Sequence, residues 1–157
     1  MKIICFIIPL ICFQAVAQNK TVIDKVDGFS TYKFGMSKTS CGCNVTEENK
    51  DDWWCESIYP KNLSVGEFLV SHLDMAFGSN GLEKIIVNFK NPNKEKLLAK
   101  LTEKYGKPLI EYKNENNIKT IDGYRWEGSV VVIYFDITDK GCYINYYNKG
   151  KKVSTGL

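Results

Sequence analysis

Apolar positions recur along this chain in two rhythms, and the change from one to the other marks its elements. Over residues 91–108, Leu97, Leu98, Leu101 and Tyr105 fall at i, i+1, i+4 and i+8, one face of a 3.6-residue repeat. Both ends of that stretch carry stop signals. Asn91 offers a capping oxygen, and Pro92 at the first helical position gives up no hydrogen bond. Gly106 and Pro108 end the run, and Lys104 suits the negative end of the dipole. The pattern predicts a helix over about 92–105, whose stripe must lie on an apolar surface because such a helix is marginal alone.

Before and after it the rhythm is two. Leu69, Leu73, Met75 and Phe77 share a face, interrupted by Ser71. The turn-forming run Gly78-Ser79-Asn80-Gly81 follows, and Ile85, Val87 and Phe89 share a face on the return. Downstream, strands are predicted at 109–113, 118–121, 124–127, 130–136 and 142–148, with turns at 114–117, Asp122-Gly123, Glu127-Gly128 and 139–141. Val131, Ile133 and Phe135 alternate with Val130, Val132 and Tyr134, so this strand is apolar on both faces and is expected to be central. The reading is an α+β fold: an antiparallel sheet, one main helix, and a short disulfide-pinned helical excursion packed on the same face. In that excursion, Ser37 is placed to cap a short helix and Thr46 a second turn running through Trp54. Of the adjacent Trp53 and Trp54, one is expected inside and one over the disulfide.

The first 17 residues stand apart. Lys2, an apolar run over 3–13 and Ala15-Val16-Ala17 read as a secretory signal peptide, with a mature start at Gln18. The run is shorter than the ~20 residues a spanning helix needs. Cys12 raises a lipoprotein reading, but Ile11 stands where that motif wants a small residue. Domain organisation is therefore signal peptide 1–17, one domain 18–148 and a basic tail 149–157 containing Lys149, Lys151 and Lys152. Removing Lys2 leaves 20 Lys/Arg against 18 Asp/Glu, a balance that favours neither nucleic acid nor an anionic membrane. The expected location is the periplasm or the exterior.

Export changes the meaning of the cysteines. Cys41, Cys43, Cys55 and Cys142 remain after cleavage, an even number in an oxidising context. Cys41 and Cys43 are too close in sequence to pair without strain. One is expected to reach Cys55 and the other Cys142, in an order the spacing leaves open. The short loop is worth about 3 kcal/mol and one of about 100 residues about 4.7. The competing reading is a thiol-based redox or metal-binding site at Cys41 and Cys43, without the usual C-x-x-C spacing.

Other chemistry is sparse. His72 is the single histidine, and a strand sends it and Asp74 to one face and Ser71 to the other, which argues against a Ser71–His72–Asp74 triad. The acidic residues Glu47, Glu48, Asp51, Asp52 and Glu56 lack Ca²⁺-loop spacing. Phosphate-loop, dinucleotide and zinc-protease motifs are missing, so neither a cofactor nor an enzymatic activity is expected. Tyrosines cluster near the end of the chain. The parity of Tyr134, Tyr143 and Tyr147 opposes that of the apolar strand positions, which makes them candidate anchors for a partner on the open sheet face.

Phe34-Gly35-Met36-Ser37, Gly81-Leu82-Glu83-Lys84-Ile85, Lys104-Tyr105-Gly106-Lys107-Pro108 and Trp126 resemble small exported bacterial proteins of the beta-lactamase-inhibitor-like class. The small outer-membrane assembly lipoproteins are a related group. The likeness spans most of residues 28–148. It implies helices packed on one face of an antiparallel sheet, and a non-enzymatic role binding a protein or envelope component. The 41–55 excursion departs from that pattern, where a longer first helix would be usual.

Overall fold

Alternation of buried and exposed side chains builds one large antiparallel sheet. The computed structural model describes residues 18–43, 47–48, 53–115, 118–138 and 141–150. The segment read as a signal peptide, the Asn44–Thr46 approach to the excursion and the end of the basic tail lie outside them. The elements are α1 (Lys20–Ile23), β1 (Gly28–Phe29), β2 (Tyr32–Lys33), a 3₁₀ turn (Thr39–Cys41), β3 (Glu47–Glu48), β4 (Trp53–Ile58), β5 (Ser64–Val65), β6 (Phe68–Gly78) and β7 (Gly81–Phe89). After them come α2 (Lys94–Tyr105), β8 (Leu109–Glu115), β9 (Ile118–Glu127), β10 (Val131–Thr138) and β11 (Gly141–Asn148). The sheet runs β3-β4-β6-β7-β11-β10-β9-β8, with β5 on β6, while β1 and β2 form a separate ribbon. The chain leaves β7 through α2, starts again at the far edge as β8, and meanders back until β11 docks on β7.

One face of the sheet carries the core. Leu97, Leu101 and Tyr105 of α2 and Ile23 of α1 are buried with Leu73, Met75, Leu82, Ile85, Val87, Trp126, Ile133, Phe135 and Ile144. β10 sits between β11 and β9, and its Val131, Ile133 and Phe135 are fully enclosed. α2 is knitted to β9 at its end: the Trp126 indole N–H donates to the Gly106 carbonyl at 2.7 Å, and its ring lies 6.1 Å from that of Tyr105.

Four local expectations are corrected. Asn93, not Asn91, caps α2, its Oδ1 accepting from Lys96 N at 2.9 Å. Asn91 instead takes φ 51°, a left-handed bend that asparagine tolerates and that turns the chain off β7. In β6 the register shifts between Val70 and His72, so one extra residue, Ser71, changes the parity. Phe68 and Val70 point inward and Leu69 is 56% exposed, the reverse of its expected place. Asp122-Gly123 is a bulge inside the continuous β9, not a turn: Glu111 pairs with Gly123 and Tyr112 with Ile121, leaving Asp122 over. A Cβ at Gly123 would stand 2.7 Å from the Phe135 carbonyl oxygen, so glycine lets β10 approach there. Finally, residues 53–58 are strand β4 paired with β6, where a helical turn through Trp54 was expected. Partial burial against β6 overrides the weak capping signal of Thr46, itself outside the described residues.

Candidate binding face

The face of the sheet turned away from α2 is written by the registers. Three cross-strand rows can be read off them. The first runs His72, Asn88, Tyr143, Asp136 and Gly123. The second runs Asp74, Ile86, Asn145, Tyr134 and Arg125. The third runs Ala76, Lys84, Tyr147, Val132 and Glu127. Neighbours opposite one another in a sheet have Cβ atoms about 5 Å apart, so each row brings its side chains within reach of one another as far as Gly123, which has none.

The three tyrosines expected on this face are on it, each half-buried. The structure brings two of them together: the Tyr134 and Tyr147 rings meet edge to face at 5.6 Å and 82°. Lys84 Nζ lies 4.8 Å from the Tyr147 ring centre. Tyr143 stands apart, in the row of Asn88 and Asp136, where burial first and the Asp136 charge second push its phenol above the usual range. Tyr134 and Tyr147 line a hollow of about 570 Å³ together with Val132, Asp136, Asn145, Asn148 and Lys149.

Polar groups tie the floor together. Asn145 Nδ2 donates to Asp136 Oδ2. Burial pushes the Asp136 carboxyl up, opposed by that hydrogen bond and reinforced by the Asp122 charge. Arg125 Nε lies 2.8 Å from Glu111 Oε1 and its Nη1 3.4 Å from Glu127 Oε2. Lys149 Nζ reaches both Glu127 and, at 2.9 Å, the Gly128 carbonyl, so the first residue of the basic tail is anchored to the β9–β10 turn. Asn145 Oδ1 is buried and, among the described residues, accepts from no group. An acceptor left in that state costs about 1–3 kcal/mol.

The Ser71 bulge also revises the histidine. Ser71 Oγ and His72 Nδ1 share a hydrogen bond of 3.0 Å, although regular alternation predicts that they diverge. His72 Nε2 stands 3.7 Å from Asp74 Oδ2, beyond hydrogen-bond length, and that oxygen accepts from Asn88 Nδ2 at 2.9 Å. Nucleophile and base therefore meet, but the third group that would orient the base is committed elsewhere. A cleft of about 770 Å³ opens beside them at the strand ends, with Lys94, Cys142 and Tyr143 in its wall.

The cysteines part company. Cys43 and Cys55 are bridged, with Cα atoms 5.7 Å apart. The second bridge expected, to Cys142, is not formed: Cys41 and Cys142 are free and buried. The registers give the reason. The Met36 carbonyl accepts from Leu82 N, and Cys41 N returns to the Ser37 carbonyl, which holds Cys41 near the start of β7. Tyr143 pairs with Asn88 near its end. Six residues of strand, about 20 Å, separate those levels, far beyond the Cα spacing of about 7 Å that a disulfide spans. Burial pushes both free thiols above their usual range, which keeps them protonated and poorly nucleophilic. Alkylation of the native protein should thus leave the Cys41 and Cys142 peptides unmodified. Unfolding without reductant should label both, while Cys43 and Cys55 stay protected until reduction. A Cys41–Cys142 linked peptide, or rapid native labelling, would contradict this assignment.

Among the described residues no group of three His, Cys, Asp or Glu side chains is arranged to hold a metal ion, and no helix is long and apolar enough to cross a membrane. No family model matches the chain, and no curated protein or solved structure matches it.

Proposed function

We propose that this chain is an exported, non-enzymatic domain that binds a protein or another envelope component on the sheet face away from α2. The observation that carries the reading is the half-buried Tyr134–Tyr147 pair lining its hollow, with Tyr143 nearby on the same face. Tyrosines held this way present large apolar surface with polar tips at little entropic cost. The Cys43–Cys55 bridge is compatible with an oxidising compartment. The likeness to exported beta-lactamase-inhibitor-like proteins belongs to this proposal, since it too implies a partner in place of a substrate. The thiol-based alternative would draw on Cys41 and Cys43, but one is bridged and burial holds the other protonated.

The test is retrieval of the tagged chain from its native envelope under mild cross-linking. One component should be enriched specifically and released by substitution at Tyr134 or Tyr147. Turnover of a substrate in the absence of any such component would sink the reading, as would two thiols cycling under mild reductant.

A further inference from the structure

β8 is an edge of the sheet. Among the described residues it pairs with β9 alone, which leaves the N–H and C=O groups of its other side open to a further strand. The edge also carries apolar surface on the α2 side of the sheet. Ile110 pairs with Tyr124, itself opposite the enclosed Phe135, and Tyr112, two residues on, pairs with Ile121. Ile110, Tyr112 and Ile121 thus share the face that α2 packs on, yet they are 43–49% exposed. Leu109 is as open on the other face, opposite Arg125.

The charges on this edge are ordered about one residue. β8 runs Leu109–Glu115, and Tyr112 is its midpoint, with Glu111 before it and Lys113 after it. A run of lysines at an edge repels a second copy. Opposite signs, one on each side of a midpoint, do the reverse. When two copies of β8 pair antiparallel about a two-fold axis perpendicular to the sheet, the faces stay alike and the axis passes through a residue. With Tyr112 on the axis the strands overlap over their whole length, and Glu111 of each copy stands opposite Lys113 of the other. Moving the axis by one residue sets either Glu111 or Lys113 against its own copy, and like charges directly opposite are destabilising. Arg125 Nε lies 2.8 Å from Glu111 Oε1, and the second oxygen of a carboxylate can accept from a lysine at the same time.

We propose that β8 joins a second copy of this chain in a symmetric dimer, edge to edge about Tyr112, and so continues the sheet from one copy into the other. On the α2 side Tyr112 meets Tyr112 of the second copy, with Ile110 diagonal to it and Ile121 behind, which withdraws exposed apolar surface from water. On the other side two Glu111–Lys113 pairs flank the axis. The dimer goes beyond the tyrosine face proposed above and does not depend on it. β9 separates β8 from β10 and β11, so both copies keep that face open.

The experiment is sedimentation velocity of the purified folded chain over a range of concentrations. The unchanged chain should pass from monomer to dimer as concentration rises. Glu111→Lys sets lysine opposite Lys113 of the second copy on both sides of the axis, and Lys113→Glu sets glutamate opposite Glu111. Each variant alone should therefore self-associate more weakly by about tenfold or more. Mixed in equal amounts, the two variants restore both opposite-charge pairs and should sediment as a heterodimer. Recovery on mixing requires two folded partners, so it separates repulsion from misfolding. If either variant fails to fold, Tyr112→Lys, which sets lysine against its own copy on the axis, should be monomeric in its place. A chain monomeric at every concentration overturns the proposal; should Tyr112→Lys then lose capture of the envelope component, the edge belongs to a strand of that component. A dimer that survives these substitutions lies on another surface and overturns it as well. Folded charge variants that stay monomeric when mixed overturn the pairing about Tyr112.

Discussion

Trp126→Ala is expected to destabilise the fold by about 3–5 kcal/mol, seen as a lowered denaturant midpoint with an unchanged slope. Trp126 is fully enclosed and stands where three segments meet. Its indole N–H closes the end of α2 by donating to the Gly106 carbonyl, and its ring packs on Tyr105. The same place receives the start of the described chain: Asn19 N donates to the Tyr105 carbonyl at 2.8 Å, and the Gln18 amide both donates to the Arg125 carbonyl and accepts from Glu127 N. Removing the ring empties a large volume and leaves a carbonyl unpaired. Trp126→Phe separates the two effects. It keeps much of the packing and loses the hydrogen bond, so about 1–3 kcal/mol should be lost. A midpoint unmoved by the alanine change would mean that the indole is not buried between β9 and α2.

The elements that a single period describes were legible in the sequence. The 97–105 stripe needs only the 3.6 repeat and its stop signals, and α2 covers Lys94–Tyr105. The centrality of residues 131–136 follows from apolar side chains at both parities, and β10 lies inside the sheet with its Val132 buried as well. What escaped were the one-residue defects. Ser71 in β6 and Asp122 in β9 each shift the parity of everything beyond them, and no local composition announces that a strand will bulge and not turn. Asp122-Gly123 has the chemistry of a turn, but pairing with β8 and β10 on both sides outweighs it. β4 escaped for a related reason: its pairing with β6 is non-local, and a capping threonine counts for little against a partner strand.

The binding face divides in the same manner. Parity alone placed Tyr134, Tyr143 and Tyr147 on it, because no bulge intervenes in β10 or β11. Parity did not show that two would touch and one stand apart, which depends on ring direction. Asp136 and Asn145 went unremarked although a carboxylate between Phe135 and Ile137 is a signal: in an apolar strand it must find a donor, and Asn145 is diagonal to it across β11. The second disulfide was misjudged because counting cysteines gives parity of number but not distance. Where Cys41 and Cys142 fall along β7 is a property of the assembled sheet.

Tyr134→Ala and Tyr147→Ala are each expected to weaken capture of the envelope component by about 2 kcal/mol or more, roughly thirtyfold in affinity, with little change in melting temperature. The two effects should appear apart because both rings are only half-buried, on a face that α2 does not cover, so each keeps exposed surface for a partner. Their edge-to-face contact is worth about 0.5–1.5 kcal/mol, and the double variant should therefore lose less than the sum of the single ones. Tyr143→Ala tests the extent of the site, since Tyr143 lies outside the hollow in the row of Asn88 and Asp136. A loss as large as that at Tyr147 extends the contact across β7. His72→Ala, farther along that row, is expected to leave capture nearly intact. Unfolding of all three tyrosine variants would make these rings core and remove the face as a binding surface. Normal folding with undiminished capture would move the contact off this face, leaving the Ser71–His72 cleft at the strand ends as the surface where the same measurement should be repeated with Lys94→Ala.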